Sequence, residues 1–259
     1  MAKVSQFIQV DDLSACFPPK RIEPFMRLRT IAFLATLSLL LSACTAQRIG
    51  QGNVMRDERM LVSFEGIEVG SAFNVELRPG PHEVVVESDK NLLPFIKTEV
   101  DGGILKIYTE EGIERARALN VYISMPQLTE LKATGAADIQ GTGTFDTDKL
   151  ELDISGTTDL YLELNVEELD LEASGSTDMQ FSGEAEKAKI ELKGASDLEA
   201  RDLVIQELDI ELSGSSDAEV TCLHDLKAKA KGSSDLACHG QPDEDDVETA
   251  DAAQVSLMR

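Results

Sequence analysis

Hydrophobic and polar residues alternate along much of the chain from residue 60 onward. The runs Ile67–Val69 and Phe73–Leu77 place apolar residues at every second position, which is typical of strands with one buried face. Turn-forming segments rich in glycine and proline follow such runs, at residues 78–81 and 101–103. The pattern therefore predicts short strands joined by tight turns.

One six-residue phrase recurs six times between residues 134 and 236, and each copy carries a glycine and, three positions later, an aspartate. The glycines are Gly135, Gly156, Gly175, Gly194, Gly214 and Gly232, and the aspartates are Asp138, Asp159, Asp178, Asp197, Asp217 and Asp235. Successive aspartates are 21, 19, 19, 20 and 18 residues apart. A period of about twenty residues with fixed turn residues indicates a solenoid, whose rungs bury their apolar faces only by stacking.

The residues on either side of each phrase define the strands of one rung. Leu160 and Leu162 follow Asp159 with polar residues between them, and Leu152 and Ile154 precede Gly156 in the same alternation. We predict an all-β fold, a single-stranded parallel β-helix with rungs of about 20 residues, right-handed by the usual chirality of parallel connections. One coil is expected to run as strand, corner, strand and looser loop.

The corner residues have a structural interpretation and a chemical alternative. Glycine tolerates positive φ, and an aspartate carboxylate can cap neighbouring backbone N–H groups as an Asx-turn. In the alternative, the six stacked carboxylates bind calcium, which favours oxygen ligands and would relieve their repulsion. Calcium is the only cofactor that the pattern suggests. No catalytic residues are predicted, and the repeat suggests no other cofactor-binding residues.

The N-terminal region is typical of an exported, lipid-modified protein. A basic segment with Arg27 and Arg29 precedes the apolar run Ile31–Leu41, which is too short to span a membrane. The run ends in Leu-Ser-Ala-Cys44, which resembles the lipobox of bacterial lipoproteins. That resemblance implies cleavage before Cys44 and a lipid anchor on its thiol, and Thr45 after it implies the outer membrane.

The organisation that follows has five parts. Residues 1–25 are interpreted as an extension in front of the true start at Met26, residues 26–43 as the lipoprotein signal peptide, and residues 44–59 as a polar lipidated tether. Residues 60–240 form the predicted β-helix. Residues 241–259 are expected to be an acidic disordered tail, because Gly240-Gln-Pro242 stops the last strand and leaves the final rung uncapped.

The composition narrows the classes of partner. The net charge of −24 argues against nucleic acid, whose recognition depends on Lys and Arg. The chain has no Trp, and Tyr161 is the only aromatic residue expected on the outer face of the repeats, which weakens a platform for stacking sugars. The partner is expected to be a protein or glycan surface, besides the membrane that holds Cys44. The oligomeric state stays open.

Two cysteines near the C-terminus raise three alternatives. Cys222 and Cys238 are both expected to point inward on neighbouring rungs, with their Cα atoms about 8 Å apart, which is outside the usual disulfide range. They are either two buried free thiols or a strained disulfide. A zinc site with His224 and His239 is the third alternative, although the spacing matches no standard site and both histidines should face outward.

Several of these segments together resemble a known family. The lipobox, the run Phe64–Leu77, Asn91-Leu-Leu93, Gly103–Ile107 and the Gly-x-x-Asp repeats are similar to head GIN domain proteins (DUF2807), described as candidate auto-transporter adhesins. The resemblance covers residues 60–240 and implies a β-helix without established catalytic residues. It implies a non-enzymatic adhesin or interaction scaffold in the cell envelope, at the periplasmic or the cell-surface face of the outer membrane. A periplasmic structural or stress lipoprotein is the alternative, followed by a polysaccharide-active β-helix enzyme.

Overall fold

The repeats wind the chain into a parallel β-solenoid, which confirms the predicted fold class. The computed structural model describes residues 48–258, so the predictions for residues 1–25, residues 26–43 and Cys44 lie outside the described part. The strands are β1 Arg48–Ile49, β2 Val54–Glu58, β3 Gly66–Gly70, β4 Asn74–Pro79, β5 Glu83–Asp89, β6 Ile96–Asp101, β7 Ile104–Thr109, β8 Ile113–Arg115, β9 Leu119–Met125, β10 Glu130–Gly135, β11 Asp138–Gly156, β12 Asp159–Gly175, β13 Asp178–Gly194, β14 Asp197–Gly214, β15 Asp217–Gly232, β16 Asp235–His239, β17 Glu244–Thr249 and β18 Gln254–Met258. A short 3-10 helix, Leu93–Phe95, precedes β6.

Strands β11 to β15 each make one full rung, and consecutive rungs pair in parallel. Like positions stack, so that Leu152 pairs with Leu171 and Leu171 with Ile190. The side chains that alternate inward are almost completely buried and form one continuous aliphatic core along the axis. Stacking at about 4.8 Å per rung is what lets each narrow rung bury its apolar face.

The segment predicted as a looser loop is a third stretch of strand. Leu164 and Val166 are buried between the two predicted strands of β12, and residues 163–166 pair with the next rung. The same alternation of buried and exposed residues continues through this segment and is interrupted at Glu167 and Glu168, which are both exposed. Each rung therefore has three inward-facing stretches instead of two.

The N-terminal end of the solenoid contains an intercalated rung. Strands β3 and β4 form a rung that pairs on one side with β7 and β9 and on the other with β10 and β11. The rung built from residues 66–79 therefore lies between two rungs that come later in the sequence. Antiparallel strands β6, β5 and β2 pair outside β7 and β9 and cover this end of the sheets.

Part of the predicted tether belongs to the fold. Strand β1 pairs with β8, and β2 pairs with β5. The fully buried Asp89 accepts hydrogen bonds from the backbone N–H groups of Gly52 and Arg117, while Asn91 bonds the backbone of Ile49 and Gln51. Hydrogen bonds from polar side chains hold this segment in place. Such bonds require no apolar periodicity, so the sequence pattern did not indicate them.

The acidic tail also differs from its prediction as a disordered segment. Strand β17 pairs in parallel with β15, and β18 pairs in parallel with β16, so the coil continues past Gly240 for another rung. Lys227 and Lys229 of β15 stand opposite Asp246 and Glu248 of β17. The charges of these acidic residues therefore face lysines on the preceding rung, which favours an ordered strand over a repelled tail.

Between residues 48 and 258, the structure contains no helix with the length and apolar character needed to cross a membrane.

Candidate interaction surface

The corner glycines stack directly on one another along the solenoid. Gly175 pairs with Gly194 and Gly194 with Gly214, and all six glycines have positive φ. A Cβ atom on Gly194 would lie 2.7 Å from the carbonyl oxygen of Gly175. Both the backbone conformation and the close approach of the rungs therefore require glycine at this corner.

A column of buried hydroxyl groups lies beside the aspartates. The residue before each of the last five aspartates is a fully buried Ser or Thr, namely Thr158, Thr177, Ser196, Ser216 and Ser234. The hydroxyl of Ser196 donates to the carbonyl oxygen of Lys193 at 3.0 Å, and Ser234 donates to Lys231 in the same way. At four of these five corners the hydroxyl, and not the aspartate, bonds the turn, and the repeated Ser or Thr before the last five aspartates was the signal.

The six aspartates form one exposed column on the outside of the solenoid. Asp138, Asp159, Asp178, Asp197, Asp217 and Asp235 pair in register, rung to rung. Amides extend both ends of the column, with Asn74 beside Asp138 and Gln254 beside Asp235. These carboxylates do not form the predicted Asx-turn. Where a carboxylate of the column accepts from a backbone N–H, the donor lies on the neighbouring rung, as where Asp217 accepts from the N–H of Asp235 at 3.2 Å.

The stacking raises the pKa of individual aspartates in this column. Partial burial raises the pKa of Asp159, and the charges of Asp178 and Asp138 add to the effect. Burial likewise raises the pKa of Asp197, with Asp217 and Asp178 contributing. Within the described residues, no three His, Cys, Asp or Glu side chains come together as a group that could hold a metal ion. The corner aspartates thus form a line of pairs and not a cluster of three, and calcium binding by this column stays a prediction.

A second face of the solenoid carries alternating charges on either side of a groove. The groove has a volume of about 580 Å³, and Leu169, Ala188, Leu208 and Leu226 line its floor. Lys187 contacts Glu207 at 2.9 Å, and Lys227 contacts Asp209 at 2.8 Å. This face is therefore a lattice of ion pairs between rungs, which contrasts with the uniform negative charge of the corner column.

The two cysteines are buried free thiols, so the disulfide does not form. Cys238 pairs with Val220 and Cys222 with Ile205, so the two thiols lie on neighbouring rungs, as expected, at positions that do not stack on each other. Burial raises the pKa of the Cys222 thiol to about 11 and also raises the pKa of Cys238.

The histidines do not join the thiols, which overturns the zinc alternative. His224 Nδ1 contacts Asp243 at 3.1 Å, and His239 Nε2 contacts Glu219 at 2.6 Å. Both imidazole rings are on the outer face, whereas the thiols point into the core. Strand alternation separates the two pairs.

The fold and its outer columns define a β-solenoid that displays repetitive charged surfaces. The family described as "Putative auto-transporter adhesin, head GIN domain" matches residues 63–242, and the chain belongs to this family. Membership confirms the resemblance seen in the sequence and is in keeping with a protein of the cell envelope or cell surface. No curated protein matches the chain.

Solved structures share the fold. A "putative adhesin" from Bacteroides fragilis superposes with a TM-score of 0.79 at 16% identity, covering 82% of this chain and 100% of that one. A "putative adhesin" from Parabacteroides merdae gives 0.67 at 17% identity, covering 82% and 99%. A "putative lipid binding protein" from Parabacteroides distasonis gives 0.67 at 19% identity, covering 83% and 100%. At these identities the likeness shows the fold alone.

Proposed function

We propose that this chain is a lipid-anchored protein of the outer membrane whose solenoid binds a partner surface as an adhesin or interaction scaffold. The observation that carries the proposal is the in-register stacking of outward residues. It turns one residue type into a long straight column, as in the six aspartates of the corner. Five steps of about 4.8 Å give that column a length of about 24 Å.

Such a surface is suited to a partner that is itself repetitive or basic. A single exposed carboxylate contributes little, because exposed ion pairs are worth about 0–1 kcal/mol. Equally spaced carboxylates act together when the partner presents cations at a matching spacing, and the later contacts are then effectively intramolecular. We therefore propose a basic protein surface or a regular glycan assembly as the partner, and a binding role in place of a catalytic one.

The anchor follows from the lipobox and from the start of the fold. Only three residues separate Cys44 from Arg48, the first residue of β1. Four residues reach at most about 14 Å when extended. A lipid on Cys44 would therefore keep the capped N-terminal end of the solenoid close to the bilayer, and Thr45 supports the outer membrane as its location.

Protease accessibility on cells tests where the solenoid lies. Intact cells are treated with a protease and the chain is followed by immunoblot, with lysed cells as the control for cleavability. Digestion on intact cells is the expected result for a surface adhesin. Protection until lysis would contradict it and would favour a periplasmic scaffold.

The anchor needs its own experiment. The Cys44→Ser variant should lose incorporation of a labelled fatty acid and leave the membrane fraction, whereas Cys222→Ser should keep both. Continued labelling of Cys44→Ser would contradict lipidation at this position.

A further inference from the structure

The last rung of the solenoid has one edge without a partner strand. Strand β17 pairs with β15, and within residues 48–258 no strand pairs with its opposite edge. The N–H of Ala250 donates to Ala230, and that of Ala252 to Gly232, so even-numbered residues bond the preceding rung. Because residues of a parallel strand alternate in direction, the backbone groups of Asp245, Val247 and Thr249 face the free edge.

The core is incompletely covered at the same place. Val247 stacks on Ala228, yet Val247 is 39% exposed while Ala228 is fully buried. Val255 and Leu257 of β18 are only partly buried, although they stack on buried residues of β16. A further strand across this end would continue the apolar columns and cover these side chains.

The chain segment at this end of the solenoid carries only negative charges. Residues 243–251 contain six acidic residues and no basic residue. The strand that β17 already pairs with has complementary chemistry, because Lys227, Lys229 and Lys231 alternate with buried Ala228 and Ala230. Lys227 and Lys229 stand opposite Asp246 and Glu248. The hydrogen bond to Asp209 is the main cause of the raised pKa of Lys227, and the charges of Asp246 and Glu248 add to it.

We propose that the free edge of β17 binds an extended peptide strand in which lysines alternate with small apolar residues, by adding it as the next rung. The backbone groups of Asp245, Val247 and Thr249 supply the ladder, as in other cases of β-strand addition. The apolar residues of the peptide cover Val247, and its lysines pair with Asp246 and Glu248. Strand β15 is the pattern for this partner.

A second copy of the chain is the wrong occupant for this edge. Two such ends meeting would place Asp246 and Glu248 against the same acidic residues, and like charges directly opposite one another on paired strands are destabilising. An inward-facing charge such as Asp245 is also a common protection of a sheet edge against self-association. This inference concerns the end of the solenoid and holds whether or not Cys44 carries a lipid.

The probe is a fluorescent peptide with the sequence Leu-Lys-Ala-Lys-Ala-Lys-Gly, which copies residues 226–232. Its anisotropy is titrated with the full chain at low salt, beside a peptide in which every Lys is replaced by Glu. We expect saturable binding of the lysine peptide, weakened at least tenfold by 0.5 M salt, and none of the glutamate peptide. Absence of binding by the lysine peptide would overturn the proposal.

Two variants separate strand pairing from charge attraction. Val247→Pro removes a backbone N–H that faces the free edge and leaves the ladder to β15 intact, so binding should fall about tenfold at unchanged Tm. Neutralising Asp245, Asp246 and Glu248 as Asn, Asn and Gln should have a similar effect. The matched control neutralises Asp146, Asp148 and Glu167 on a lateral face and should change binding less than twofold. Equal loss in the control would show nonspecific attraction and would overturn the site.

Two further measurements use the protein without any substitution. N-methylation of the peptide backbone at alternate residues removes its hydrogen-bond donors at unchanged charge and should abolish binding. Binding that survives N-methylation would contradict strand addition. Light scattering of the full chain without peptide should show no association through this end. A dimer that dissociates when the lysine peptide is added would mean that the edge binds a second copy of the chain, and it would overturn the peptide as the occupant.

Discussion

The carboxylate of Asp89 accepts a hydrogen bond from the backbone N–H of Arg117 at 2.7 Å, and its other oxygen accepts from Gly52. A buried carboxylate thereby joins the segment before β2 to the segment before β9. Replacing Asp89 by Asn presents an NH₂ group to one of these donors, and losing a charged, buried acceptor costs about 1.5–3 kcal/mol. We expect Asp89→Asn to lower the free energy of unfolding by that amount.

Hydrogen exchange distinguishes local from global loss in this variant. The amides of Gly52 and Arg117 should exchange faster in Asp89→Asn, while the amides of β13 should keep their protection. Asp101→Asn is the control, because the Asp101 side chain is 79% exposed. Unchanged exchange at Gly52 would mean that Asp89 does not hold this segment.

The stacked glycine corners predict a specific difference between two alanine variants. Gly194 and Gly103 have nearly the same positive φ, +88° and +86°. A Cβ on Gly194 meets the backbone of Gly175, whereas a Cβ on Gly103 has nothing within 4 Å. Gly103→Ala should cost about 1–2 kcal/mol from conformation alone, and Gly194→Ala a further 1–3 kcal/mol or so from overpacking. Chemical denaturation measures both, and equal losses would contradict the close stacking of the rungs.

The buried hydroxyl column contains one member without a hydrogen-bond partner. The hydroxyl of Thr177 is buried and unpaired, whereas the hydroxyl of Ser196 donates to Lys193. Thr177→Val keeps the shape and removes the unpaired group, so it should raise the free energy of unfolding by about 1 kcal/mol. Ser196→Ala should lower it by about 1 kcal/mol. A loss of stability in Thr177→Val, with none in Ser196→Ala, would contradict this assignment of the hydrogen bonds.

The aspartate column should respond to pH with a defined sign. The pKa of Asp159 is raised in the folded state by burial and by Asp178 and Asp138. The folded protein therefore binds this proton more tightly than the unfolded chain does. The stabilising contribution of the protonated group is present below the ordinary aspartate pKa of 3.8 and is lost as pH rises through the raised pKa of the folded state.

Removing this charge tests the effect. Asp159→Asn should raise stability at pH 7 by several tenths of a kcal/mol, as for other like charges on paired strands. The gain should shrink toward zero at pH 3 and in 1 M salt, where screening is strong. Tm measured across pH 3–7 for both proteins gives the answer, and a gain that is independent of pH would exclude charge repulsion as its cause.

The two thiols should be unreactive in the folded protein. Burial raises the pKa of Cys222 to about 11, and only the thiolate reacts with alkylating agents. At pH 8 we expect iodoacetamide to label Cys222 and Cys238 in guanidinium chloride at least a hundredfold faster than in buffer. Peptide mass spectrometry reads each site separately. Rapid labelling of Cys222 in buffer would show that the last rungs open locally.

The repeat itself made the solenoid predictable. Alternation around Asp159 and Gly156 placed Leu152, Leu160 and Leu162 correctly in the core, because an inward position is defined by period two alone. The middle stretch with Leu164 and Val166 follows the same rule, and a fixed assumption of two strands per rung hid it.

The two ends of the fold could not be predicted in the same way. Side-chain bonds to backbone groups hold residues 48–53, as with Asp89, and such bonds leave no periodic pattern in the sequence. The acidic tail is ordered against lysines of β15 that are only its neighbours after folding. From composition alone, residues 244–258 are unfavourable for a strand, because composition includes their negative charges but not the lysines that pair with them in the fold.

The corner was predicted in part. Positive φ at the glycines follows from local chemistry, but the roles of Asp and of the preceding Ser or Thr depend on which side chain points inward. The hydroxyl lies inside and bonds the turn, as Ser196 does, so the carboxylate is left outside. One position of strand register decides between these roles.

The intercalated rung of β3 and β4 has a consequence for biogenesis. Residues 66–79 leave the ribosome first, yet both of their neighbouring rungs are made later, from residues 104–125 and 130–141. A growing chain therefore cannot add its rungs one by one from the N-terminus. The first rung has no parallel neighbour until about 30 further residues have emerged, and it has neighbours on both sides only after about 60, so the chain must stay protected from aggregation over that interval.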